Sequence, residues 1–171
     1  PSWLSFNAAT GVLSGTPLNG NVGTSGNDVV ITVSDGNNGQ VTDTFTITVT
    51  NTNDAPTITS TAVTSAEEDD AYTYTVTAAD VDTGDTITLS GTTVPSWLTF
   101  TASTGVLTGT PSNSDVGSHA VVLTATDAAG ATAVDSFTIV VANANDDPVV
   151  TSTAVTSATE DAAYTYTLTA T

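Results

Sequence analysis

The segment PSWLSFNAATGVLSGTP at residues 1–17 returns as PSWLTFTASTGVLTGTP at residues 95–111, an offset of 94. Farther along, TSTAVTSAEEDDAYTYTVTA at 59–78 returns as TSTAVTSATEDAAYTYTLTA at 151–170, an offset of 92. The offsets reconcile if the first copy carries two extra residues near Thr24–Asn27. Self-similarity this dense makes the repeat, not the chain, the expected folding unit. A unit of 92–94 residues has the size of an immunoglobulin-like sandwich. The expected organisation is the second half of one unit at 1–50, a linker at 51–56, and a complete unit at 57–142. A second linker at 143–148 and the first strands of a further unit at 149–171 follow. Because it opens inside one motif and stops inside another, the chain reads as a stretch of a longer polypeptide.

Periodicity within the unit is that of strands. In AYTYTVT (71–77), Tyr72, Tyr74 and Val76 share one face and threonines the other; in SFTIVVA (136–142), Phe137, Ile139 and Val141 face inward, as Phe45, Ile47 and Val49 do in the first copy. Such alternation marks a half-buried strand. Threonine, close to a quarter of the residues, suits the solvent face because its branched Cβ favours extended backbone. Strands are predicted at 57–63, 71–79, 86–90, 97–101, 105–108, 119–126 and 133–142, with essentially no α-helix. The fold class is therefore all-β, a series of antiparallel Greek-key sandwiches. Trp3 and Trp97 recur at the same place in their units and read as core residues rather than as a sugar-stacking platform.

Charge narrows the choice of partners. The chain has 18 acidic residues, one His and neither Lys nor Arg, for a formal net charge of −18. Nucleic acid and anionic membranes are usually engaged through basic side chains, so neither is an expected partner. Self-repulsion disfavours compaction unless something outside the chain screens it, and metal cations are the natural screen. Cysteine is absent, which excludes disulfides and thiolate metal sites; without lysine there are no Lys–Asn cross-links either. No apolar run of about 18 residues is present, so neither a membrane span nor a signal peptide is read.

Tracing each strand from pole to pole places nearly all the acids at the ends of the sandwich, beside the linkers. Around the first linker gather Asn53 and Asp54, then Asp80, Asp82 and Asp85 from ADVDTGD, then Asp127. Around the second gather Glu68, Asp115, Asn145 and Asp146, with Asp147 adjacent. Hard oxygen donors in irregular loops, without nitrogen or sulfur, are the ligand set Ca²⁺ prefers; it accepts about six to eight oxygens, and Mg²⁺ ranks second. The competing expectation is a plain solvated or halophile-type acidic surface. That pattern would scatter carboxylates along the strand flanks.

N-x-N-D-x-P at the linker, D-x-D-x-G-D in the first third of the unit and T-D-x-x-G before the last strand resemble cadherin repeats. The whole unit is similar to the dystroglycan-type cadherin-like and putative-Ig repeats of large bacterial surface adhesins, whose hallmark W-L-x-F…T-G-x-L-x-G-T-P run occurs here twice. The resemblance implies Ca²⁺ between units, bound by Asn53, Asp54, Asp80, Asp82 and Asp127 at one junction and by Glu68, Asn145 and Asp146 at the next. Asp35 and Glu160 hold equivalent places in the flanking copies. Cadherins offer another Asn where Ala55 stands, and their D-R-E segment is missing, its place taken by Asp115 or, in the first copy, Asn21. One to three ions per junction are expected.

Catalysis is not expected. The single imidazole, His119, aligns with Asn27, and no G-x-S-x-G, H-E-x-x-H or phosphate-loop motif occurs. The acids lie at domain ends, not across a pocket as glycosidase carboxylates do. Three function classes remain open: a Ca²⁺-rigidified spacer or stalk of a secreted, bacterial-type surface adhesin, a self-assembling subunit of an extracellular filament, and a glycan-binding accessory module. Expected partners are neighbouring repeats, or identical subunits joined end to end, with any cell-surface or glycan receptor contacted through other domains.

Overall fold

The structure, a computed structural model, describes residues 1–171. Its strands in chain order are β1 (Leu4–Asn7), β2 (Val12–Gly15), β3 (Asp28–Ser34), β4 (Gln40–Thr46), β5 (Thr57–Ile58), β6 (Ser65–Glu67) and β7 (Tyr72–Thr75). Then come β8 (Ala78–Ala79), β9 (Thr88–Thr93), β10 (Leu98–Thr101), β11 (Val106–Gly109), β12 (Gly117–Thr126) and β13 (Thr132–Ala142). The only helical segments are two single 3₁₀ turns, Asn19–Asn21 and Asn113–Asp115.

Strands β5–β13 build one two-sheet sandwich. One sheet runs β6-β13-β12-β9, and the other runs β10-β11-β7, prolonged by β8 on β5. Consecutive strands β9 and β10, and again β11 and β12, lie in different sheets, which is Greek-key wiring. Tyr72, Tyr74 and Val76 of the 71–77 segment do face inward. They pack with Leu98, Leu107, Val121, Leu123, Ile139 and Val141 in a single core between the sheets. Trp97 is half-buried at its margin, edge-on to Tyr72 with ring centroids 5.7 Å apart and to His119 at 5.9 Å.

The hallmark run owes its glycines to backbone geometry. Gly105 turns β10 into β11 at φ +71°, a left-handed conformation that L side chains rarely adopt. A Cβ on Gly109 would overlap the carbonyl oxygen of Trp97, so only glycine lets β11 lie beside the residue preceding β10. Residues 1–17 repeat this hairpin as β1 and β2, in the same register: Phe6 faces Leu13 as Phe100 faces Leu107.

Three expected strands differ from what forms. The run predicted at 57–63 stops at Ile58, and the chain crosses to the other sheet, where β6 pairs in parallel with β13. Residues 66 and 67, expected in a loop, are therefore strand. The Tyr72 hydroxyl fixes the crossing by donating to the Val63 carbonyl at 2.7 Å. The 71–79 strand divides because it changes partner. Up to Thr75 it pairs with β11, and from Thr77 it pairs with the β5 segment, Thr59 N–H donating to the Thr77 carbonyl at 2.8 Å. The strand predicted at 86–90 runs instead from Thr88 to Thr93, straight through Gly91. Its register against β12 shifts so that Leu123 faces Gly91 and Val122 faces Thr93, leaving Thr92 as a bulge. Glycine inside a strand reads as a stop, but here it admits the Val94 and Phe100 side chains.

Residues 1–50 form two hairpins, β1–β2 and β3–β4, and residues 149–171 form a loop closed by a Val150–Ala170 bridge. That last segment repeats the local bonds of 57–79. Ser60 Oγ meets Tyr74 Oη as Ser152 Oγ meets Tyr166 Oη, both at 2.7 Å, and Tyr164 donates to the Val155 carbonyl as Tyr72 does to Val63. Apolar side chains whose counterparts are buried in the sandwich stand exposed in these flanking segments, among them Tyr164 and Leu168.

Burial pushes the Tyr72 and Tyr74 phenols up to about 12, with the Asp135 carboxylate, which accepts the Tyr74 hydroxyl at 2.7 Å, adding to the shift. An unfolded tyrosine ionises near pH ~10. A raised folded-state value means the stabilisation carried by the neutral phenols is complete below about 10 and lost as pH climbs through about 12. Denaturant midpoints should therefore hold steady up to pH ~10 and fall steeply above it. In an absorbance titration, Asp135→Asn should move the Tyr74 transition to lower pH.

Candidate metal centres at the linkers

The first centre lies where linker 51–56 meets the sandwich. Asp80 and Asp82 follow β8 directly, and a turn at Gly84 (φ +90°) brings Asp85 back towards them. Asp127 closes the group from the loop between β12 and β13. Carboxylate oxygens of Asp80, Asp85 and Asp127 lie within 4.8 Å of one another. Asp82 is 7 % exposed and Asp127 5 %.

Each of these acids is only partly satisfied by the chain. Asp127 accepts the Asn53 amide at 2.8 Å through Oδ2 and the Ala131 N–H at 2.7 Å through Oδ1. Asp82 accepts the Asp54 N–H at 2.8 Å through Oδ2, and Asp80 accepts the Asp82 N–H at 2.9 Å through Oδ1. The remaining oxygens, Asp80 Oδ2 and Asp82 Oδ1, are buried with no partner at all. Two like charges at about 4 Å repel by roughly 4 kcal/mol at an effective dielectric of about 20, and the chain holds no Lys or Arg to offset this. Two partnerless buried carboxylate oxygens in the loop that supplies Asp80 and Asp85 to the three-acid group fit a divalent cation, and the all-oxygen donor set fits Ca²⁺.

The second centre lies at linker 143–148. Glu68, 3 % exposed, accepts the Ala144 N–H at 3.2 Å, and one of its carboxylate oxygens stands with carboxylate oxygens of Asp69 and Asp146, all within 4.8 Å. Asp69 was not among the residues singled out from sequence. Its backbone is left-handed, φ +62°, as is that of Asp161, its counterpart in the next copy at φ +64°. Asn145 donates to the carbonyl of Asp146 at 3.2 Å as Asn53 does to that of Asp54 at 3.0 Å. The two linkers thus share this local hydrogen bond.

Three predicted ligands stand apart from these groups. Asp115 sits in the 3₁₀ turn, where its Oδ2 accepts the N–H of Ser112 at 2.9 Å and the Ser112 hydroxyl at 2.7 Å. Those bonds hold its carboxyl below the ordinary aspartate range. Asp35, the counterpart of Asp127, folds its own loop by accepting the Asn37 and Gly39 N–H groups at 2.7 and 2.9 Å, which also depress it. Glu160 is exposed in the C-terminal loop. His119 is structural in its contacts: its Nε2 lies 2.6 Å from the Asp115 carbonyl, while Asn27 donates at 2.8 Å to the matching carbonyl of Asn21.

Residues 1–50 and 55–142 match the family described as "Putative Ig domain". The chain belongs to this family. No curated protein matches it. Among solved structures, the first five cadherin domains of protocadherin gamma B2 are 20% identical, with a TM-score of 0.56, over 87% of this chain and 32% of that one. The first four of protocadherin gamma B7 are 19% identical, with a TM-score of 0.56, over 88% and 42%. An endo-fucoidan hydrolase of glycoside hydrolase family 107 is 27% identical, with a TM-score of 0.47, over 85% and 23%. This Ig-family chain therefore spans less than half of each, and what it shares with the protocadherins is the cadherin-like fold. Cadherin- and Ig-like domains are generally non-enzymatic and extracellular, and no helix here is long and apolar enough to cross a membrane.

The Asn53 amide, the first cause of the depressed Asp127 carboxyl, generates a test. Asn53→Ala should raise the Asp127 value towards that of an ordinary aspartate in a carboxyl NMR titration run in chelator. The sign follows from linkage: a depressed folded-state value stabilises above the ordinary aspartate range, and that share is lost as pH falls through it. Acidification should accordingly loosen the first linker less abruptly in Asn53→Ala than in the parent chain.

Proposed function

We propose that this chain is a cation-stiffened spacer of an extracellular repeat protein, a stalk that carries binding domains away from a bacterial surface. The observation that carries this reading is the pair of buried, unpartnered oxygens on Asp80 and Asp82 at a pole whose neighbouring acids are tied by hydrogen bonds to the linker. In this reading Asp80, Asp82, Asp85 and Asp127, with Asp54 of the linker, hold Ca²⁺ at the first junction. Glu68, Asp69 and Asp146 hold it at the second, with Asn53 and Asn145 shaping the linkers. The bound ion supplies the positive charge that the chain lacks.

Each ion offsets repulsion among carboxylates drawn from linker and loop, so its binding free energy adds to the stability of the ordered joint. Repeats bounded at 57–142, with linkers at 51–56 and 143–148, would then line up as a rod. Extracellular Ca²⁺ modules bind with Kd of roughly 10⁻⁴–10⁻³ M. Such sites fill outside a cell and empty in cytosol, so a chain slack during export stiffens once outside. The partners in this reading are neighbouring repeats of the same chain, or identical subunits joined end to end.

Calorimetry on chelator-stripped protein tests this directly. Adding CaCl₂ should release or absorb heat with a Kd in the range of about 10⁻⁴–10⁻³ M, raise the melting temperature, and lengthen the particle in small-angle scattering. Asp82→Ala should abolish the first-junction component, while Thr138→Ala on an exposed flank should leave it intact. No heat, and scattering curves identical in EDTA and Ca²⁺, would remove the cation from the account.

A further inference from the structure

The Asn19–Asn21 turn, at the pole of the N-terminal segment that faces the first linker, sends one side chain across to it. Asn19 Nδ2 donates to Asp54 Oδ2 at 2.7 Å. The same bond recurs at the next junction, where Asn113 Nδ2 donates to Asp146 Oδ2 at 3.2 Å. Asn19 and Asn113 correspond in the repeat, each two residues after the proline of T-P, and the linker aspartates correspond as well. Two copies of the turn, differing in sequence as LNGN and SNSD, therefore arrive at the same contact.

The turn is built to aim that amide. In the first copy Asn21 Oδ1 accepts the Leu18 N–H at 2.9 Å, and in the second Asp115 Oδ2 accepts the Ser112 N–H at 2.9 Å. A side chain at the last turn position thus closes on the backbone before the first in both copies, and a backbone bond from that last residue reinforces it, Asn21 to Leu18 and Asp115 to Ser112, both at 2.8 Å. Asparagine and aspartate both supply the acceptor oxygen. This accounts for a carboxylate at 115 where the first copy has an amide.

At the first junction Asp54 is already fixed to the sandwich on its far side. Its N–H is held by Asp82 and its carbonyl by Asn53, which itself reaches Asp127. We infer that Asn19 and Asn113 are register residues that clamp each linker to the unit before it, setting the angle between successive units without any metal ion. The amide takes one oxygen of the aspartate and leaves the other free, so the clamp can act with or without a cation. It goes beyond the cation reading and does not depend on it.

The test uses the full 171-residue chain, which has no native cysteine, with spin labels at Thr44→Cys on β4 and Thr138→Cys on β13. Distances are measured in EDTA. The parent should give one narrow distribution, and Asn19→Ala should raise the population of other distances about fivefold, the factor that one net hydrogen bond supplies. Asn19→Asp, which sets a like charge against Asp54, should broaden it further. Asn113→Ala, at the other junction, should leave this distance unchanged, showing that the effect is local. Distributions for Asn19→Ala and Asn19→Asp that match the parent would overturn the clamp. Because Ca²⁺ is absent throughout, failure of the cation reading would leave this result standing, and the reverse holds too.

Discussion

Carboxylates buried at a linker pole, in a chain without a single Lys or Arg, set the terms for everything else in this protein. Asp82 and Asp127 are among the few buried polar residues, and both lie where a loop meets the linker. Their hydrogen bonds to Asn53 and to the Asp54 N–H account for part of the cost of burial. Two orphaned oxygens account for the rest of the problem, because burying an unpaired charge is expensive and no protein cation is within reach. The core of the sandwich is aliphatic and aromatic, and the carboxylate bonded to it is Asp135, which accepts the Tyr74 hydroxyl. The clustered and partnerless carboxylates lie instead at the joints.

This division of labour explains why the linkers can be short and still specific. Asp54 is a hub, reached by an amide from the unit before it and held through its backbone by the unit after it, and Asp146 is reached by the matching amide at the second linker. In the proposed reading, hydrogen bonds supply direction and a cation supplies neutralisation, so that the first presets an angle that the second stiffens. A chain built this way would owe its geometry to its ends and its length to the number of units. The family match falls on this chain twice, at residues 1–50 and 55–142.

Departures from the sequence reading cluster where strands change partner. Period-two alternation located Tyr72, Tyr74, Val76, Ile139 and Val141 on the inward face because that pattern is local to one strand. It could not show that the chain leaves β5 and crosses to pair with β13, since the crossing depends on a parallel contact with a strand about 75 residues away. Gly91 misled for a similar reason, as its place in β9 comes from side chains of Val94 and Phe100 that lie beyond the strand. At the junctions, acidic residues were visible by type. Asp69 stood beside Glu68 in the sequence as a plain neighbour, and only its left-handed backbone and the approach of Asp146 set it in the group.

By itself the sequence determined the repeat length, the strand character of the units, the absence of any internal cation, and the concentration of acids beside the linkers. These are matters of composition, spacing and period, which neighbours in the chain decide. The tertiary structure decided which carboxylate oxygens are buried without a partner, that Asp115 serves its own turn, and that Asn19 and Asn113 reach the linker aspartates. Apart from the local Asp115 turn, these depend on side chains brought together from segments tens of residues apart, where a displacement of one or two ångströms decides whether an oxygen meets a donor, another oxygen, or nothing.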